Sequence, residues 1–272
     1  MIIYFMSQKS PLVSIVVNCH NGEKYLHQCI KSIINQTYKK WELIFWDNSS
    51  SDNSLKILNS YKDKRIKKFK SKIFNNLYEA RNLAIKKCKG KYICFLDVDD
   101  MWLKNKLKIQ INEISKDTSI KILYTNYYVF LNDKKKKFIK FSKKLNSGFI
   151  TQKLLNSYDL GIATVMIDAK LFKDQKFNGS YNVIGDFDYF VNSSLKYKTK
   201  ALQKPLAIYR IHDENFSSKK TDIYINELSN WLETNINKKK FRTFSFNSVY
   251  ILLFKLKIKF YIKKILNIKL GV

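Results

Sequence analysis

Three carboxylates, Asp97, Asp99 and Asp100, follow directly on an unbroken apolar run in the stretch YICFLDVDDMW, residues 92 to 102. The run from Tyr92 to Leu96 reads as a strand buried on both faces. Carboxylates placed where such a strand runs out lie on the sheet edge at which open α/β sheets bind ligands. Anions held so close repel one another unless a cation joins them, and a hard divalent ion that also bridges to phosphates is the usual solution. Asp97 and Asp99 are therefore a candidate site, whereas Asp100 reads as the N-cap of a helix from Leu103. A second acidic pair, Asp186 and Asp188 in GDFDYF, opens another expected helix, where the helix dipole favours carboxylates. His212, in YRIHDEN, follows the last expected strand.

These groups need a frame that brings them to one edge. Val13 to Asn18 is a strand candidate, and the following loop, with His20, leads to a helix whose Leu26, Cys29, Ile30, Ile33 and Ile34 form one apolar stripe. Leu43 to Trp46 is the next strand, followed by DNSSSDNS from Asp47, which suits a turn and a helix N-cap. A helix with Leu55 and Leu58 inward and a short strand within Lys62 to Lys72 come next. Asn75 and Asn76 can cap a helix carrying Leu77, Ala80, Ala84 and Cys88, with Gly90 as its C′ glycine. Strand and helix thus alternate up to residue 96, which implies right-handed crossovers and a mainly parallel sheet.

After Trp102 a helix buries Leu107, Ile111 and Ile114, and residues 120 to 141 read as a hairpin with a lysine tip. A short helix (150 to 156), a strand (163 to 167), a helix opened by Asp186 (to about 197) and a last strand (201 to 211) complete the expected domain. Neither GxGxxG nor GxxxxGK[ST] occurs, so phosphates must be held in another way.

The chain has 272 residues and a formal charge of +29, with Lys spread along its whole length beside Asn, Ile, Phe and Tyr. That spread marks a compositional bias rather than a nucleic-acid surface. Cys19, Cys29, Cys88 and Cys94 form no CxxC pair and read as reduced core thiols. Residues 1–10 read as a short leader, too short and too poor in basic residues for a signal peptide, and no apolar run is long enough for a transmembrane span. From about residue 221 the character changes. A helix from 223 to 235 carries Ile225, Leu228, Trp231 and Leu232, and residues 244 to 270 alternate bulky apolar side chains with lysines. That second segment reads as a basic helix lying in a membrane interface. Packing on the domain is the alternative.

Taken together, the stretches at 13 to 54, 79 to 102, 185 to 190 and 209 to 215 resemble the family-2 glycosyltransferases of bacterial surface-polysaccharide synthesis, in the family's order. The resemblance implies a GT-A fold, Rossmann-like and mainly parallel with helices on both faces, over residues 11–220. Its nucleotide-binding half would be about 11–102 and its acceptor half about 103–220, with 221–272 as a helical basic tail. It implies a nucleotide diphosphate sugar donor, most simply a UDP-sugar, and a saccharide or lipid-linked acceptor. A divalent metal, Mn2+ or Mg2+, and inversion at the anomeric carbon also follow. Residue by residue, Asn18, His20, Asp47, Arg81 and Asp97 fall on the nucleotide, Asp99 and His212 on the metal, and Asp186 on the catalytic base. The family's acidic residue before the base is here Gly185, which leaves Asp188 as an alternative base or acceptor-side group, and His20 stands where a Tyr is usual. QxxRW, the motif of processive members, is absent, so single addition is expected. The expected location is cytoplasmic, peripheral on the inner face of the cytoplasmic membrane, with no nucleic-acid partner. A sugar-phosphate nucleotidyltransferase would also pair carboxylates with metal, but calls for a glycine-rich basic loop after the first strand, which CHNGEKY is not. A non-enzymatic, charge-driven nucleic-acid binder would ignore Asp99 and weaken steeply with salt.

Overall fold

The computed structural model describes residues 10–213, 215 and 220–269, with the side chains of the last helix described to Ile265. Residues 1–9 of the expected leader and residues 270–272 of the expected tail lie outside them. The apolar runs become β1 (Val13–Cys19), β2 (Trp41–Asp47) and β4 (Tyr92–Phe95), and β3 (Ile66–Lys70) lies outside β2. These four strands pair in the order β3-β2-β1-β4, all parallel. The helices between them are α1 (Glu23–Ile34), α2 (Ser54–Ser60) and α3 (Leu77–Ile85).

Beyond β4 the sheet becomes mixed. The expected strand at 163 to 167 is a 3-10 turn followed by β8 (Met166–Asp168), which runs antiparallel to β4. β8 also pairs antiparallel with β6 (Ile122–Leu131), and β6 pairs parallel with β9 (Thr199–Ile211). Two reversals cancel, so β6 and β9 point the same way as β4 and end on the same edge. β7 (Lys136–Ile139) forms the expected hairpin with β6, and β5 (Met101–Trp102) closes the far side against β9.

The sheet has an apolar cluster on each face. On one, α1, α2 and α4 (Lys106–Ile114) cover the odd-numbered residues of β1 and β2 with Leu26, Ile30, Leu58 and Ile111. On the other lie α3, α5 (Thr151–Asn156), α6 (Leu171–Asp174), α7 (Gly185–Ser194) and α8 (Thr221–Asn235). α8 buries Ile225, Leu228, Trp231 and Leu232, the stripe its sequence spacing implied. The first turns of α9 (Asn247–Lys269) pack there too, through Val249 and Leu253. All four cysteines are free thiols.

Three local expectations are corrected. Asn76 does occupy the N-cap of α3, but its side chain makes no capping bond and donates instead to the Gly179 carbonyl. Gly90 lies past the helix end without a positive φ. It is required by space, because a Cβ there would come 2.5 Å from the Ser14 backbone nitrogen, where the Ser14 hydroxyl accepts from Gly90 N. Asp100 caps no helix: β5 intervenes and α4 starts at Lys106, with Asn105 at its N-cap.

α4 also carries a lysine that sequence reasoning did not mark. Lys106 is fully buried, over the Trp102 ring at 4.1 Å and bonded to Gln110 Oε1 at 2.6 Å. Burial pushes its ammonium down to about 8. Its pKa is therefore lower folded than unfolded, so the unfolded chain holds more protons between about pH 8 and the ordinary lysine value, and stability contributed here rises with pH across that window. Lys106→Met is expected to stabilise the fold at pH 7 by up to about 3 kcal/mol, with the gain shrinking between pH 8 and 10. Urea denaturation of both proteins across that range checks it; a gain independent of pH would rule out the buried charge as its source.

Candidate active site

The carboxyl edge of the sheet gathers residues from six elements. Asn18 and His20 come from the end of β1 and its loop, Asp47 from the end of β2 and Arg81 from α3. Asp97, Asp99 and Asp100 follow β4, Asp186 opens α7, and Arg210 and His212 come from the end of β9.

At the β1 and β2 ends, buried polar atoms lack partners. Both side-chain atoms of Asn18 and Oδ1 of the fully buried Asp47 have no hydrogen bond among the described residues. Orphans of this kind mark places where a ligand completes the bonding. The rim above them is cross-tied: Asn21 Oδ1 accepts from Ser51 N at 2.8 Å, Asp52 Oδ2 from Glu23 N at 2.9 Å and Glu23 Oε2 from Asn53 N at 2.8 Å. His20 is exposed, held by Asn48 O at 3.0 Å and meeting the Phe74 ring edge-on at 4.6 Å.

The β4 end is a set of paired charges. Arg81 donates to Asp97 Oδ1 at 2.5 Å, with the arginine side chain 3% exposed and the aspartate 35%. Burial opposes the Arg81 charge, but Asp97 and then Tyr78 and Asp186 outweigh it, so its pKa rises. His212 Nε2 meets Asp99 Oδ2 at 3.0 Å, and Asn215 Nδ2 reaches the same oxygen at 3.3 Å. Burial and the neighbouring Asp97 raise the Asp99 carboxyl, with His212 acting against them. Asp100 lies deeper, and burial with Asp99 and Asp97 raises its carboxyl well above the usual range.

Arg210 organises this loop, and sequence reasoning passed over it although it lies in YRIHDEN. Its backbone N donates to Asp100 Oδ1 at 2.9 Å, its Nε to the Asp99 carbonyl at 2.9 Å and its Nη1 to Asn132 Oδ1 at 3.0 Å. Nη2 donates to Gln28 Oε1, and the guanidinium stacks over Tyr25 and Phe130. Nothing in the spacing of YRIHDEN distinguishes an arginine that faces solvent from one that binds three separate segments.

The two α7 carboxylates face different neighbours. Asp186 Oδ1 accepts from Tyr78 Oη at 3.1 Å and from Phe187 N at 2.8 Å. Burial raises its carboxyl, with Arg81 pulling the other way. Asp188 Oδ1 instead accepts from Trp231 Nε1 and Asn192 Nδ2, each at 2.8 Å, which ties α7 to α8.

No group of three His, Cys, Asp or Glu suited to a metal occurs among the described residues. The Asp99 and His212 pair supplies one carboxylate oxygen and one imidazole nitrogen, a set that fits Mn2+ or Mg2+ only when substrate phosphate oxygens and water complete the shell.

Comparison with known proteins settles the relationship. The sequence model described as "Glycosyl transferase family 2" matches residues 14–179. The chain belongs to that family. It is 35% identical over 167 residues to the E. coli UDP-Glc:alpha-D-GlcNAc-diphosphoundecaprenol beta-1,3-glucosyltransferase WfgD, a match covering 61% of this chain and 64% of that protein. In three dimensions it resembles S. aureus TarS 1-349 in complex with UDP-GlcNAc, with TM-score 0.67 and 18% identity over 84% of this chain and 68% of that one. It also resembles the mannosyltransferase PcManGT from Pyrobaculum calidifontis in complex with GDP-Man and Mn2+, with TM-score 0.62 and 11% identity over 91% and 70% of the two chains. The fold is GT-A, as the motif order implied.

Arg210→Lys tests the hub. A lysine cannot span Asn132, Gln28 and the Asp99 carbonyl at once, so this variant, like Arg210→Ala, is expected to lose roughly 2 to 4 kcal/mol of stability in urea denaturation. Full stability in Arg210→Lys would mean that charge alone suffices.

Proposed function

We propose that the chain is a metal-dependent, inverting, non-processive glycosyltransferase. It moves a sugar from a UDP-sugar to a saccharide or lipid-linked acceptor in surface-glycan synthesis. One observation carries this reading: on one sheet edge of a family-2 chain, the Asp99 and His212 pair stands in a single charged group with Arg81, Asp97 and Asp186. The names of its relatives, a lipid-linked acceptor for WfgD and UDP-GlcNAc for the TarS complex, point the same way.

In this reading the unpaired polar atoms of Asn18 and Asp47, with His20 beside them, receive the nucleoside. Asp97, fixed by Arg81, lies toward the ribose, and Arg81 offsets the charge of the carboxylates beside the nucleotide. Asp99 and His212 would hold the divalent cation, which would supply charge neutralisation for the leaving diphosphate. Asp186 takes the proton of the acceptor hydroxyl as its oxygen attacks the anomeric carbon, and the bond to the diphosphate breaks with its electron pair leaving on the diphosphate. The raised carboxyl of Asp186 makes its ionised form a stronger proton acceptor than an ordinary carboxylate. Asp188 ties α7 to α8 through Trp231 and Asn192, whereas Asp186 faces Arg81 and Tyr78, which supports the choice of Asp186 as the base.

Residues 11–220 carry the transferase unit and 221–272 the helical basic tail, with membrane contact through residues 244–270. No helix is long and apolar enough to cross a bilayer among the described residues. α9 instead has two opposed apolar stripes. Val249, Leu253, Leu256 and Phe260, at i, i+4, i+7 and i+11, turn to the domain, while Ile251, Phe254, Ile258, Tyr261, Ile262 and Ile265 are exposed along about 21 Å of helix. Lys255, Lys259 and Lys263 flank the exposed stripe on one side and Lys257 and Lys264 on the other. That arrangement fits a helix lying in an anionic bilayer surface at the cytoplasmic inner face.

Two measurements test these assignments. In thermal shift with a panel of nucleotide sugars, a UDP-sugar with Mn2+ is expected to stabilise the wild type, by about 2.7 kcal/mol at a hundredfold excess over Kd. Asp99→Ala should lose that gain, whereas Asp186→Asn should keep it and lose transfer by roughly 10²- to 10⁴-fold. No stabilisation by any nucleotide would refute the transferase reading. In co-sedimentation, vesicles containing anionic phospholipid are expected to carry the protein down and zwitterionic vesicles to leave it in solution, with binding lost in Phe254→Glu/Ile258→Glu. Equal binding by that variant would assign α9 another role.

A further inference from the structure

Gly185 precedes the proposed base, and its backbone has no positive φ, so conformational freedom does not explain it. Space does. A Cβ at this position would come 2.4 Å from a carbon of the Tyr78 ring. Tyr78 stands on the first turn of α3 and is 2% exposed. Its hydroxyl lies 3.1 Å from Asp186 Oδ1 and 3.1 Å from the Val183 carbonyl, and the Arg81 guanidinium packs over its ring at 5.1 Å. Both hydrogen bonds to Asp186, from Tyr78 Oη and from Phe187 N, fall on the same oxygen.

Resting on the transferase reading above, we infer that Tyr78 is a positioning residue for Asp186. Its phenol holds Oδ1 and so turns Oδ2 toward the acceptor hydroxyl, and Gly185 is the residue that admits its ring. No side chain at 185 reaches the base. A residue on a different helix, more than a hundred positions earlier, takes up the task of orienting it.

The surroundings of Asp186 agree. Arg81 and Tyr78 face it from α3, Asp97 from the β4 end, Tyr158 from the segment after α5, and Tyr127 and Tyr224 lie within its field from β6 and α8. Burial, and after it the charge of Asp186, raises the Tyr78 phenol well above the usual range, so it remains a neutral donor wherever the base is ionised. The Tyr78 bond favours the ionised carboxylate and opposes the effect of burial. Removing the hydroxyl therefore raises the base's pKa, and the acid limb of the rate profile moves to higher pH.

The test uses the full chain with a UDP-sugar and Mn2+. Tyr78→Phe is expected to shift the acid limb of kcat upward by roughly one unit. Below the limb kcat falls about tenfold from that shift alone, and above it a deficit in kcat remains, because the ionised carboxylate is no longer held through Oδ1. The donor KM stays as in the wild type. Gly185→Ala is expected to lower the Tm and the rate in the wild-type background. In a Tyr78→Ala background the same alanine should cost no further Tm, because the ring that it strikes is gone. A wild type that transfers sugar while Tyr78→Phe keeps its kcat and its acid limb overturns this inference alone. A Gly185→Ala penalty that persists without the ring does so as well. A wild type that shows no nucleotide-dependent thermal shift and no transfer overturns the underlying function, and the inference with it.

Discussion

The site depends on compensating carboxylates that the sheet forces together. Asp97, Asp99, Asp100 and Asp186 converge where water is scarce, and two unit charges about 4 Å apart there interact by roughly 4 kcal/mol at an effective dielectric near 20. Two buried arginines answer that repulsion from different sides. Arg81 reaches Asp97 from α3 and acts on Asp186, while Arg210 holds Asp100 and the Asp99 carbonyl from β9. Each lies on a separate chain segment, so the acidic loop is stable only once the whole sheet has closed around it. An isolated βαβ half would present Asp97, Asp99 and Asp100 without Asp186, Arg210 and His212.

Topology supplies that closure through β8. It has only three residues, yet by pairing antiparallel with both β4 and β6 it turns the chain twice and lets β9 finish on the carboxyl edge. A β8 parallel to only one of these two neighbours would have sent the end of β9, with Arg210 and His212, to the opposite edge. The parallel half was readable in the sequence because unbroken apolar runs separated by amphipathic helices admit few other arrangements. The mixed half was not, since a three-residue strand with a 3-10 turn before it carries neither length nor alternation to declare its direction.

The site was legible to the same degree. Asp97 and Asp99 stand out because acidic residues after a buried strand have no packing reason to be there, and Asp186 and His212 entered through motif order. Asp100 looked like a helix cap because sequence reveals a carboxylate near an expected helix start but not the two-residue strand β5 that separates them. Arg210 and Tyr78 left no signal at all. An arginine in a strand and an aromatic residue at a helix start are ordinary, and their importance is fixed by partners far away in sequence, Asp99 and Gly185. Gly185 itself was visible only as a departure from pattern, and its cause is steric.

The part of the chain beyond the family match has its own hold on the chemistry. The match ends at residue 179, just before the segment that leads into α7. Glu227 of α8 accepts from the backbone nitrogens of Asn182, Val183 and Ile184 at 2.6, 2.9 and 3.1 Å, holding the three residues that lead into α7. Trp231, one turn further along α8, binds Asp188, and its ring packs against Phe187 and Phe246. The helix that carries Asp186 is therefore seated from two directions. Tyr78 fixes it from the family-typical half, and α8 fixes it from the appendage. Because Phe246 and Val249 lead directly into α9, the face proposed for the bilayer and the proposed base share one packed cluster. A tail that served only as a tether would not need to bury a tryptophan against α7. This one braces the helix that carries the proposed base, through Glu227 and Trp231 of α8 and the start of α9 behind them.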